Sequence, residues 1–105
     1  MELLTLSIKS LFKEMGDQRR LGDEDPIVIA KFFNQDKSAF WYALEYDEIE
    51  HACYGFVIGP PDVAKGGEWG YFSLDAMERS GNVYLDTHFK KCPISRILNS
   101  LPYGR

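Results

Sequence analysis

Three apolar runs at short intervals constrain the fold of this chain more than any other feature. They occupy residues 27–34, 39–46 and 52–58, and only a few polar residues separate each run from the next. Runs of this length, rich in β-branched and aromatic residues, are typical of strands. Connections this short join neighbouring strands antiparallel. The sequence therefore predicts a three-stranded antiparallel meander, with the first strand buried on both faces because it is almost wholly apolar.

Alternation within the second and third runs assigns residues to the two faces of the sheet. In the second run, Phe40, Tyr42, Leu44 and Tyr46 are expected on one face, with Trp41, Ala43 and Glu45 on the other. In the third run, Tyr54, Phe56 and Ile58 oppose Cys53, Gly55 and Val57. A glycine in mid-strand predicts a bulge or a close backbone approach at Gly55.

Helical patterns lie at both ends of the chain. Apolar residues at helical spacing predict a helix over residues 6–15, with Thr5 as N-cap and Gly16 as its end. Near the other end, Pro93 opens a second apolar stripe, as proline can in a first helical turn.

The segment between the meander and the last helix predicts three short elements. They are a strand over residues 69–72, a short helix capped by Ser73 and a strand over residues 83–89. The chain as a whole predicts a single α+β domain over residues 1–105. Its mostly antiparallel sheet of about four or five strands would be flanked by N- and C-terminal helices packed on one face.

Charge and hydropathy narrow the possible partners. The net charge is −4, and residues 21–68 carry ten acids and three bases, a local charge of −7. Direct nucleic-acid binding is therefore disfavoured, because it needs a basic surface. The chain has no apolar run near the roughly 20 residues that cross a bilayer, and the order of charges in residues 1–15 does not fit a secretory signal. We expect a cytoplasmic protein without a membrane partner, whose lone Cys53 and Cys92 are buried as small hydrophobes.

An acidic turn, Asp23-Glu24-Asp25, precedes the first strand. Asp23 can shape the turn by accepting from amides downstream of it, and Pro26 pushes Asp25 to extended geometry. We favour this structural interpretation, with weak cation binding or an electrostatic partner contact as alternatives.

The two histidines give no metal signature. His51 and His88 are far apart in the chain and lack further zinc ligands nearby. His51 is expected to begin a strand at the surface. His88 would share a strand face with Asp86, either as an acid–base couple or as a surface hydrogen bond. We expect no catalytic residue, no cofactor and no metal.

Aromatic side chains are concentrated in the same segment as the acids. Trp41 and Trp69 belong to two aromatic clusters, residues 40–42 and 69–72, which put rings on both faces of the same predicted sheet. Their neighbours include Glu45, Glu68 and Asp47. If one aromatic face is exposed, its acidic surroundings suit a protein partner or a neutral ligand better than single-stranded nucleic acid. The alternative is that helices and loops cover both faces.

Several motifs together resemble a known family. They are Leu3-Leu4-Thr5, Gly22 to Val28, Lys31 to Phe33, Trp41-Tyr42, Tyr54-Gly55-Phe56 and Trp69 to Leu74. Along nearly its whole length the chain is similar to the family called domain of unknown function 2958. The resemblance implies a small protein of phages, plasmids or integrated elements, encoded near antirestriction proteins and DNA methyltransferases. It implies no particular chemistry.

From these observations we expect a non-enzymatic accessory protein of a mobile element that binds a host or element-encoded protein, in counter-defence or DNA processing. Its binding surface would contain Asp23, Asp25, Trp41, Glu45, Asp47 and Trp69. A second hypothesis is a nucleotide-type ligand held between the sheet and the 59–68 loop. A third is a metal-dependent hydrolase or nuclease that uses Asp23, Asp25 and His88.

Overall fold

The chain folds into a five-stranded antiparallel sheet flanked by helices, which confirms the predicted α+β class. The computed structural model describes residues 3–16, 18, 25–59 and 67–100. Within them the helices are α1 (Leu6–Met15), α2 (Leu74–Ser80) and α3 (Ile94–Asn99). The strands are β1 (Ile27–Val28), β2 (Ala30–Asn34), β3 (Phe40–Asp47), β4 (Ala52–Ile58), β5 (Glu68–Ser73), β6 (Val83–Leu85) and β7 (Cys92–Pro93).

The sheet has the order β5-β4-β3-β2-β6, so β5 and β6 form its edges. Consecutive strands β2 to β5 pair antiparallel, which confirms the predicted meander and extends it by one strand. The predicted single strand over residues 27–34 is instead divided at Ile29. The part before the break, β1, pairs with β7 in a separate two-stranded sheet.

The predicted helix boundaries are confirmed at α1 and α2. The Thr5 hydroxyl accepts a hydrogen bond from the amide of Ile8 at 3.2 Å, and the Gly16 amide closes α1 on the carbonyl of Phe12. The Ser73 hydroxyl caps α2 in the same way, accepting from the amide of Ala76 at 3.1 Å. Each cap satisfies a backbone donor that has no partner inside the helix.

The terminal helices lie on opposite faces of the sheet, so the expectation that both pack on one face is wrong. Phe12 of α1 belongs to a cluster with Ala43 and Cys53. Ile94 of α3 belongs to a second cluster that includes Tyr42 and Phe56. Residues adjacent in a strand point to opposite faces, so these two clusters are the two sides of one sheet. Both Cys53 and Cys92 are buried free thiols, as expected.

A β-bulge corrects the predicted face of Tyr46. The register between β3 and β4 shifts between Ala43 and Glu45. The additional residue reverses the alternation beyond it, so Tyr46 packs with the α1 cluster and not beside Tyr42. The expected close approach at Gly55 is confirmed, because a Cβ there would overlap the carbonyl oxygen of Tyr42.

A buried side-chain amide lies beside the bulge. The Gln18 side chain, 1% exposed, donates to the carbonyls of Ile27 and Leu44 at 2.9 and 3.0 Å and accepts from the Ile27 amide at 2.6 Å. It therefore acts like an additional peptide unit between β1 and β3.

No described helix is long and apolar enough to cross a membrane.

Strand β6 is shorter than the predicted strand over residues 83–89. Beyond Leu85 the chain turns, and the Asp86 carboxylate accepts from the backbone amide of His88 at 3.0 Å. The two residues therefore do not share a strand face. The same carboxylate also lies 3.8 Å from the ammonium group of Lys31. Asp86 serves as a turn former and an ion-pair partner in this fold.

Candidate functional site

A groove of about 770 Å³ lies between α1 and the ends of β3, β4 and β5. Three of its lining residues are apolar or aromatic and strongly exposed: Leu6 at 82%, Ile49 at 93% and Tyr71 at 63%. Isolated exposed apolar side chains are normal, whereas a cluster of them marks an interaction surface. These three residues come from different parts of the sequence, so it is the fold that brings them together.

Local structure fixes both walls of the groove. Leu6, Lys9 and Lys13 follow the spacing that aligns side chains along one side of α1. On the opposite wall, the turn after β3 carries Ile49. The Asp47 carboxylate accepts from the amides of Ile49 and Glu50 at 3.0 and 3.2 Å, which sets the shape of this turn.

An aromatic cluster continues the groove along the sheet edge. Tyr54 and Tyr71 are cross-strand partners with ring centroids 5.1 Å apart. Trp69 stacks on Tyr54 at 6.4 Å and contacts Phe56 edge-on at 5.0 Å. Trp69 remains 47% exposed because it lies on the edge strand β5. Rigid, partly exposed rings of this kind are the side chains most often used as anchors in protein interfaces.

Charge divides the groove into two walls. Lys9 and Lys13 lie on the α1 wall, and Glu45, Asp47 and Glu48 lie on the β3 wall. The acidic excess predicted for the middle of the chain is thus partly concentrated beside the exposed apolar side chains. A partner that places bases against the β3 wall would gain favourable electrostatic contacts.

A hydrogen-bonded network adjoins the groove through Tyr46. The Tyr46 hydroxyl lies 2.8 Å from Nδ1 of His51, and Nε2 of His51 lies 3.1 Å from Oε2 of Glu78. The Leu3 amide donates to the same Glu78 oxygen at 2.8 Å. Although partial burial opposes ionisation, the hydrogen bonds from Leu3 and His51 hold the pKa of Glu78 below its ordinary value. The network ties the start of the chain, the β3–β4 turn and α2 together.

His51 does not begin a strand as expected. Its backbone is left-handed, with φ of 51°, and β4 starts one residue later. Its carbonyl accepts from the amide of Leu74, which anchors the turn to the start of α2. Sequence reasoning missed the network because Glu78 is 27 residues away, and only the chain reversal between β4 and α2 brings the two groups together.

The predicted site residues are distributed over several parts of the molecule. Glu45 and Asp47 line the groove, and Trp69 adjoins it. Trp41 is half-buried against the cluster that contains Phe12, on the other face of the sheet from Trp69 and its neighbour Phe56. Asp23 lies outside the described residues.

Asp25 has a structural partner. One carboxylate oxygen accepts from the Ser95 amide at 2.9 Å, and the other accepts from the Ser95 hydroxyl at 2.7 Å. Ser95 lies in the first turn of α3, and the N-cap residue of that helix, Pro93, makes no side-chain capping hydrogen bond. Asp25 thus caps this helix from across the chain, which favours the structural interpretation of the acidic turn.

Three groove residues were not anticipated from the sequence: Leu6, Ile49 and Tyr71. Leu6 lies off the apolar stripe of α1, and Ile49 is an isolated apolar residue in an otherwise acidic turn. The signal available in the sequence was Ile49, because burial in the core does not explain an apolar side chain in a polar turn.

Comparison with known proteins gives no relative for this chain. No family model, no curated protein and no solved structure matches it. The resemblance to the domain of unknown function 2958 family therefore stays a prediction that rests on the motifs.

Proposed function

We propose that this protein is a non-enzymatic binding module that holds a segment of a partner protein in the groove between α1 and the β5 edge. The observation that carries the proposal is the convergence of Leu6, Ile49 and Tyr71, all strongly exposed, on that one groove. Because these side chains stay largely exposed, they gain little from burial in the free chain. Covering them in a complex is favourable, at about 25 cal/mol for each Å² removed from water.

The lining of the groove specifies the kind of partner. Apolar side chains of the partner would contact Tyr54, Tyr71 and Ile49, and bases beside them would meet Glu45 and Glu48. We therefore propose an apolar segment of a protein flanked by lysine or arginine. Because Glu48 is exposed and Glu45 is partly exposed, these acids would contribute more to the association rate and its salt dependence than to affinity.

The setting of this binding module is proposed from the motif resemblance. A small protein of a mobile element that acts by holding another protein, in counter-defence or DNA processing, agrees with an acidic chain and an exposed aromatic groove. The cytoplasmic location belongs to the same proposal.

The two other hypotheses receive less support. The nucleotide-type ligand site involves the 59–68 loop, of which residues 60–66 lie outside the described residues. The hydrolase hypothesis needs the Asp25 carboxylate for chemistry, yet both of its oxygens are hydrogen-bonded to Ser95. We therefore propose binding through the groove in preference to hydrolysis, and the nucleotide-type ligand site stays an alternative prediction.

Affinity capture with matched variants tests the proposal. The bait would be the intact chain, the groove variants Ile49→Asp and Tyr71→Ser, and the control Tyr84→Ser. Tyr84 is 38% exposed on β6, the opposite edge of the sheet. We expect the intact chain and Tyr84→Ser to retain the same protein, and both groove variants to lose it. Retention that is equal in all four samples would exclude the groove.

A further inference from the structure

We propose that His51, Asp75 and Glu78 form a binding site for a Zn²⁺ ion. One nitrogen and two carboxylate oxygens from these residues all lie within 4.8 Å of one another. Imidazole nitrogen and carboxylate oxygen are both accepted zinc ligands, at roughly 2.0–2.2 Å from the metal. The site is independent of the proposed partner binding, although Tyr46 contacts both regions.

The scaffold holds two of the three ligands in place. Nε2 of His51 and Oε2 of Glu78 are 3.1 Å apart. Ligand atoms around a tetrahedral zinc are separated by roughly 3.5 Å, given those metal–ligand distances. Only a small opening of the pair is needed to admit an ion, which would take the place of the proton between the two groups.

Asp75 completes the set from the same helix. It lies three residues before Glu78 in α2, a spacing that puts both carboxylates on one side of the helix. Its side chain is exposed and makes no hydrogen bond or ion pair with the described part of the chain. It can therefore rotate toward the ion without losing a contact. Two carboxylates this close repel each other, and a shared cation relieves the repulsion.

The surrounding hydrogen bonds match those that orient metal ligands. The Tyr46 hydroxyl holds Nδ1 of His51, so that Nε2 points at the carboxylates. The Leu3 amide fixes the Glu78 carboxylate. Partners of this kind set the ring orientation and the position of ligating groups in metal sites. With three protein ligands, the ion would keep one position for water.

Zinc titration of the untagged chain tests the site, with binding followed by calorimetry and by the melting temperature. We expect one equivalent of Zn²⁺ to bind and to raise the melting temperature, and a chelator to reverse the shift. Mg²⁺ should give no comparable shift, because it takes oxygen ligands and does not favour imidazole.

The chain's two histidines provide a matched pair of variants. His51→Asn removes the ligand, and asparagine tolerates the left-handed backbone there. His88→Asn removes an exposed imidazole elsewhere. We expect zinc affinity to fall at least about tenfold in the first and to be unchanged in the second. If His51→Asn does not fold, Asp75→Asn replaces it, since Asp75 is exposed.

Two results would overturn the site. One is the absence of zinc binding by the intact chain. The other is binding that His51→Asn and Asp75→Asn leave unchanged, which would locate the ion elsewhere.

Discussion

Gly55 of β4 lies so close to the backbone of Tyr42 in β3 that a Cβ at position 55 would overlap the Tyr42 carbonyl oxygen. The approach occurs next to the β3 bulge, where the register of the two central strands shifts. The bulge in turn directs Tyr46 toward α1 and His51. The absence of a side chain at Gly55 thus helps to position the groove and the hydrogen-bonded network of Tyr46, His51 and Glu78.

Gly55→Ala should destabilise the fold strongly, because the obstructing atom is backbone and cannot rotate away. We expect a loss of about 3 kcal/mol or more in the free energy of unfolding, measured by urea titration. Gly70→Ala is the matched control. Gly70 is the cross-strand partner of Gly55, and a Cβ there would meet nothing within 4 Å. The control should remain within about 1 kcal/mol of the intact chain; equal losses in the two variants would contradict the close approach.

Gln18→Leu should also destabilise the fold. The substitution leaves two backbone groups of Ile27 and the carbonyl of Leu44 without their hydrogen-bond partner. Each buried group left unsatisfied costs about 1–3 kcal/mol, so the variant should lose at least about 2 kcal/mol by chemical unfolding. Gln35→Leu, the same change at an exposed turn position, should have little effect. A stable Gln18→Leu variant would show that the amide does not bridge the strands.

Asp25→Ala separates the structural interpretation of the acidic turn from a partner contact. As the cap of α3, Asp25 should contribute about 1 kcal/mol to stability, and Asp25→Asn, which keeps one acceptor for the Ser95 amide, should lose less. Partner capture should be unaffected by either change. The opposite pattern, with unchanged stability and lost capture, would assign Asp25 to the binding surface.

Glu78 should make stability depend on pH on the acid side. Its pKa is lowered in the folded chain from the ordinary value of 4.5. Ionised Glu78 therefore stabilises the fold above that value, and the stabilisation is lost as the pH falls through the folded-state pKa. The stability difference between the intact chain and Glu78→Gln, measured by urea unfolding without added metal, should shrink on acidification. The control Glu14→Gln, at an exposed position of α1, should show no such pH-dependent stability difference. A Glu78→Gln difference that grows on acidification would contradict the lowered pKa of Glu78.

The sequence predicted the strand order of the meander, the capped starts of α1 and α2, and the close approach at Gly55, because these features depend on alternation and local backbone chemistry. It could not predict the face of Tyr46, since an inserted residue at the bulge leaves no mark in the pattern of apolar residues. The opposite placement of α1 and α3 also escaped prediction, because either helix has an apolar stripe that could cover either face.

The candidate site was predictable only in part. The acids Glu45 and Asp47 and the ring of Trp69 were visible as an acidic and aromatic region, and they lie in or beside the groove. Leu6, Ile49 and Tyr71 come from separate segments, and their convergence depends on the three-dimensional path of the chain. The pairing of His51 with Glu78 depends on the same long-range folding.

Photo-crosslinking from position 49 tests the central claim most directly. Ile49 is 93% exposed in the groove, so a benzoyl-phenylalanine placed there should react with a bound partner without disturbing the core. We expect one protein to be crosslinked from position 49, less of it when Tyr71→Ser is combined with the probe, and none from position 84 on the opposite edge. Crosslinking of the same protein from position 84 but not from position 49 would contradict the account.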